Sequence, residues 1–138
     1  MNKYTFEECQ LGLEEKFAVQ VTAEMMKTFM MLTGDENPLH MEAGYAQSKG
    51  FTDRVVYGML VTSFCSTLAG MYLPGEKCLI EETSFKYKKP VYVGDVLEIK
   101  GTVAEKEDRF NRIKVNVRIT NQNAETVVRG MMILGVME

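Results

Sequence analysis

Apolar and polar positions alternate through Lys16-Phe17-Ala18-Val19-Gln20-Val21, which predicts a first strand. The spacing then lengthens. Met25, Met26, Phe29, Met30 and Leu32 form a stripe at helical period behind Thr22, a good N-cap, with Glu24 near the positive end of the helix. That helix should end near Thr33-Gly34. A short helix over Glu42–Ser48, stopped at Gly50, and an irregular Phe51–Tyr57 follow. Gly58 opens a long helix, Met59–Leu73, closed by Pro74-Gly75. It is apolar almost all round, broken only by Thr62, Ser63, Ser66 and Thr67, so it is expected to be buried.

The last part of the chain supplies what such a helix needs around it. Lys77–Lys88, Asp95–Glu107, Arg112–Gln122 and Thr126–Met137 all read as strands. Ile113, Val115, Val117 and Ile119 alternate with Lys114, Asn116, Arg118 and Thr120, giving one dry and one wet face. Arg109-Phe110-Asn111 and Asn121–Glu125 suit hairpin connections, and Pro90 and Gly94-Asp95 mark a bend. The final strand is apolar on both faces, as a central or interface strand would be. The expectation is one α+β domain over residues 1–138, in which a curved antiparallel sheet wraps a long central helix.

Composition changes this picture little. The chain is 46% apolar and 25% charged with a net charge of −3, which argues against a general nucleic-acid binder. Cys9, Cys65 and Cys78 form no Cys-x-x-Cys pair, so they read as reduced thiols rather than a disulfide framework or a zinc site. No apolar run has the length of a membrane span and the first residues lack a signal-peptide core, so a cytoplasmic setting is expected. Of the methionines, Met25, Met26, Met30 and Met31 at helical spacing and Met131, Met132 and Met137 in a strand read as flexible core filler.

The candidate chemistry sits between the first two helices. Thr33-Gly34-Asp35-Glu36-Asn37-Pro38-Leu39-His40 is a tight polar turn holding the one histidine of the chain, five residues after an aspartate. Gly34 permits unusual backbone angles, and Pro38 pushes Asn37 out of the helical region. A stiff turn carrying a carboxylate and an imidazole suits acid/base catalysis. The same residue types also make ordinary turns. No metal is implied, since one histidine without a cysteine or carboxylate cluster lacks ligands.

Phe29-Met30-Met31-Leu32-Thr33-Gly34-Asp35-Glu36-Asn37-Pro38-Leu39-His40, followed at a distance by Ala46, resembles the signature of the MaoC-like (R)-specific enoyl-CoA hydratases. Tyr57-Gly58-Met59-Leu60 is similar to that family's entry into its central helix, and Phe85–Asp95 to its strand-proline-valine-glycine-aspartate segment. The likeness runs from about Lys16 to Val136.

The resemblance implies the hot-dog fold. It also implies a homodimer, or a larger assembly of dimers, joined sheet edge to sheet edge with active sites at the interface. The substrate would be an acyl-CoA thioester, with no separate cofactor. Asp35 and His40 would be the acid/base pair, and the Gly58 N–H would meet the thioester carbonyl. Ser66 would be a nearby polar contact, and Asn37 would hold the turn. Lys86, Lys88, Lys89, Arg109 and Arg112 are candidates for the phosphates. The reaction implied is addition of water to a trans-2-enoyl thioester, or the reverse. Alternatives are a hot-dog thioesterase, against which Asn37-Pro38-Leu39-His40 counts, and a non-catalytic acyl-CoA-binding protein. One departure stands out: Tyr57 occupies a position where many members carry a second histidine.

Overall fold

The computed structural model describes residues 1–138. In chain order the elements are β1 (Glu14–Gln20), α1 (Ala23–Thr33), α2 (Pro38–Met41), α3 (Ala43–Ser48), α4 (Gly58–Thr67), a π-helical turn (Leu68–Tyr72), β2 (Cys78–Tyr87), β3 (Val96–Glu107), β4 (Arg112–Thr120) and β5 (Thr126–Val136). The strands form one antiparallel sheet in the order β1-β3-β4-β5-β2. Its inner face and α4 bury a common core that includes Leu60, Val61, Cys65, Leu68, Leu97, Ile99, Val115, Val117, Met132 and Leu134. This is the sheet-around-helix domain expected from the periodicity and the hot-dog arrangement that the family resemblance implied.

Local chemistry explains the boundaries. Thr22 Oγ1 accepts from Met25 N at 3.1 Å and so caps α1, while Gly34 ends it in the left-handed region at φ 76°. In β4 the four predicted inward residues are all buried. Gly101 lies on β3 where Leu68 crosses: a Cβ there would sit 2.9 Å from both Leu68 Cδ2 and Val115 Cγ1. A side chain would keep helix and sheet apart.

Several expectations need correction. The long helix is not buried all round: Met59 is 74% exposed, and Ser63, Ser66 and Thr67 face outward, because one sheet wraps only one side of it. It is also not one α-helix to Leu73. Beyond Thr67 it widens into the π turn, with Leu73 N bonded to Leu68 O at 2.8 Å. Of the methionines read as core filler, only Met26 and Met132 are buried, and Met31 is 71% exposed. The apolar β5 lies inside the sheet, flanked by β4 and β2, so its position accounts for its composition and the edges are β1 and β2. The first residues, ahead of β1, run against the π turn and the segment that follows it, with Asn2 N bonded to Met71 O and Tyr4 N to Pro74 O. Lys3 bridges to Gly75, and Phe6 and Cys9 enter the core.

Candidate active site

The turn after α1 is held by its own side chains. Asp35 Oδ1 accepts from Asn37 N at 3.0 Å, and Asn37 Oδ1 accepts from Leu39 N at 2.9 Å, so Asn37 caps the one-turn helix α2 with Pro38 at its first position. That helix presents His40. The short segment was expected to be turn throughout; it helically orders the histidine instead.

His40 Nδ1 lies 2.7 Å from the carbonyl oxygen of Val55. A carbonyl can only accept, so Nδ1 carries a proton, and Nε2 is left free to exchange one. Asp35 is exposed, and its Oδ1 is occupied by the turn, which leaves Oδ2 without a protein partner. Both residues line a cavity of about 290 Å³ together with Tyr57, Gly58, Met59 and Tyr87. His40, Gly58 and Tyr87 also line a neighbouring cavity of about 290 Å³, walled by Val55, Val56, Val61, Val91 and Val128.

Gly58 is the first residue of α4, and Tyr57, before it, offers no side-chain cap. The Gly58 N–H donates to no protein acceptor and opens at the positive end of the helix. A Cβ at Gly58 would lie 3.0 Å from the Tyr87 ring. Tyr87 OH in turn is 3.1 Å from Thr62 Oγ1.

Tyr57 is the residue whose part was not readable beforehand. It is 2% exposed, its ring stacks on His40 with centroids 4.2 Å apart, and its hydroxyl donates to the backbone carbonyl of Asp35 at 2.6 Å. Phe29 packs against it with centroids 4.7 Å apart. Burial pushes the phenol above its ordinary value and the Asp35 carboxylate adds to the shift, so it remains a donor. One buried side chain thus touches both the histidine and the aspartate turn.

Ser66 is not brought to this place. It lies along α4 in a groove with Ser63, Ile80 and Phe85 that meets the Asp35–His40 cavity only at Met59 and Tyr87. Among the basic candidates, Lys88 and Lys89 line the valine-walled cavity, and Lys89 is paired with Glu125. Arg112 is paired with Glu81, Arg109 lies over the Phe110 ring, and Lys86 lines a different groove. No group of three or more His, Cys, Asp or Glu residues is placed to hold a metal, and no helix is long and apolar enough to cross a membrane.

The MaoC like domain matches residues 8–127. The chain belongs to the MaoC-like family. It is 33% identical over 106 residues to an (R)-specific enoyl-CoA hydratase of Rhodospirillum rubrum, covering 74% of each chain. It is 30% identical over 100 residues to a 3-hydroxybutyryl-CoA dehydratase of Methylorubrum extorquens, covering 72% of this chain but only 64% of that protein's length. Among solved structures, an unliganded R-hydratase of Pseudomonas aeruginosa superposes with a TM-score of 0.90 at 28% identity, covering 97% of this chain and 86% of that one. These MaoC-like relatives are hydratases and dehydratases, which places the chain among the hydro-lyases.

Proposed function

We propose that this MaoC-like protein is an (R)-specific enoyl-thioester hydratase, working in either direction on a trans-2-enoyl-CoA and its 3-hydroxyacyl-CoA. The observation that carries the reading is the free Nε2 of His40. Its Nδ1 is tied to the Val55 carbonyl, and it lines the same cavity as Asp35 and the unpartnered N–H of Gly58.

A water held between Asp35 Oδ2 and His40 Nε2 would have its proton drawn off as its oxygen bonds to C3 of the enoyl group. The electron pair of the C2–C3 double bond moves toward C2 and the thioester carbonyl. The Gly58 N–H, at the start of α4, supports the charge that gathers on that oxygen, and the pair then returns a proton to C2. Water is added with no other reactant. General acid/base groups supply roughly 10²–10⁴-fold each, and an oxyanion donor about 3–4 kcal/mol. With Lys88 at its mouth, the valine-walled cavity beside His40 has the character of an acyl or pantetheine channel.

The active assembly is a homodimer in this reading. Edge strand β2 exposes Leu79 and Ile80, and the uncovered side of the helical layer exposes Met31, Leu32 and Met59. Sedimentation should give twice the 15.7 kDa of one chain.

The test of the site is substitution. Asp35→Asn and His40→Ala should each lower hydration of crotonyl-CoA by roughly 10²-fold or more while leaving the fold intact. Rates within a few-fold of the parent would rule this site out. A loss at His40 with none at Asp35 would require a different base.

A further inference from the structure

The sheet's outer face, turned away from α4, carries a feature that the chemistry at Asp35 and His40 does not use. The strand registers set Lys16 of β1 opposite Lys100 of β3, and Lys100 opposite Arg118 of β4. Arg118 in turn faces Arg129 of β5, and Arg129 faces Lys86 of β2. One row crosses every strand of the sheet, and each position in it is a cation. Neighbouring strands lie roughly 4.8 Å apart, so the row is about 19 Å long.

Such a row opposes the fold, because like charges directly across a strand pair destabilise it. The chain has no general excess of cations, since its net charge is −3. Local carboxylates relieve only one end: Lys16 is 3.9 Å from Glu98, and Lys100 is 3.8 Å from Glu14. At the other end Lys86, Arg118 and Arg129 make no ion pair, and Arg118 Nε donates to the neutral Thr126 hydroxyl at 2.8 Å. A groove of about 670 Å³ opens there, its neutral wall formed by Ser84, Thr102 and Asn116.

The groove selects among anions. No aromatic ring lines it, so bases of a single-stranded nucleic acid have nothing to stack on. A short acidic helix fits better. Carboxylates three and four residues apart on a helix stand about 5–6 Å from one another, close to the pitch of the row. Position adds a further argument: Lys86 immediately precedes Tyr87, Lys88 and Lys89, which line the cavity beside His40.

We propose that this face docks an acidic carrier protein, which presents its acyl thioester on a flexible arm to the Asp35–His40 site. The proposal rests on the hydratase reading and names the protein that would deliver the substrate.

The test is Arg118→Gln together with Arg129→Gln, assayed with the same enoyl chain carried on an acyl carrier protein and on coenzyme A. kcat/KM for the carrier-borne substrate should fall at least tenfold, mainly through KM, with the coenzyme A substrate within about twofold. Parent activity on the carrier-borne substrate should also drop steeply with added salt. Equal loss on both substrates, or loss on neither, would overturn the proposal. So would binding of an oligonucleotide that the double substitution abolishes. Calorimetric binding of the carrier protein needs no turnover. If the parent binds the carrier and the double variant does not, docking stands even where neither thioester is hydrated, and only the hydratase reading fails.

Discussion

Tyr57 lies against His40 with its ring and bonds the Asp35 carbonyl with its hydroxyl, so it holds in place the two residues proposed to share one water. Tyr57→Phe keeps the ring and removes the bond. We expect kcat to fall about tenfold, equivalent to roughly 1.4 kcal/mol, with KM within twofold. Loss of one buried hydrogen bond should also lower stability by about 1 kcal/mol. An unchanged kcat would reduce Tyr57 to packing. Gly58→Ala tests the other side of the cavity, since its methyl group would meet the Tyr87 ring at 3.0 Å. The expected result is a rate loss of about tenfold or more with the melting temperature little changed, measured on crotonyl-CoA. At this scale the sequence offered Asp35 and His40 as candidates on one polar turn, while their roles and that of Gly58 came from the family resemblance. Tyr57 was visible only as a departure from a family pattern. The Val55 carbonyl that orients His40 could not be seen, because every residue carries a carbonyl and only the fold chooses which one faces the ring.

The elements were legible where a period persists. β4 alternates strictly, and all its predicted inward residues are buried. α2 was missed because it is four residues long and begins with Asn37-Pro38, which reads equally as a turn. The end of α4 was misplaced because Leu68–Tyr72 has helical composition, and the wider π geometry leaves no mark on composition. Gly130 shows a constraint that only the paired strands reveal. A Cβ there would lie 2.1 Å from Ser84 O, across the β2–β5 ladder. Gly130→Ala should cost about 2–4 kcal/mol in urea unfolding, more than an exposed strand position would. A cost near zero would mean that β2 shifts readily.

For the molecule as a whole, burial links stability to pH through the thiols. It pushes Cys65 up to about 12 and Cys78 up to about 11, from an ordinary value of 9.0. Both folded-state values lie above the unfolded one, so the neutral thiol is favoured on folding. The contribution is fully present below pH 9 and disappears as pH rises through about 11 and 12. Urea midpoints measured from pH 8 to 11 should fall less steeply in a Cys65→Ala, Cys78→Ala variant than in the parent, and identical slopes would remove the thiols from the account. The single-sheet architecture was readable from the order of the periodic segments. What covers the outward side of α4 was not, because a buried-looking helix implies a cover without stating whose surface supplies it.

Incubation with crotonyl-CoA is the decisive test of hydration at the Asp35–His40 site. The conjugated thioester absorbance and free thiol would be followed together, and the product alcohol resolved by configuration. The expected result is loss of absorbance, no thiol release and an (R)-3-hydroxy product, with Asp35→Asn abolishing the signal. Stoichiometric thiol release would contradict it and make the protein a thioesterase.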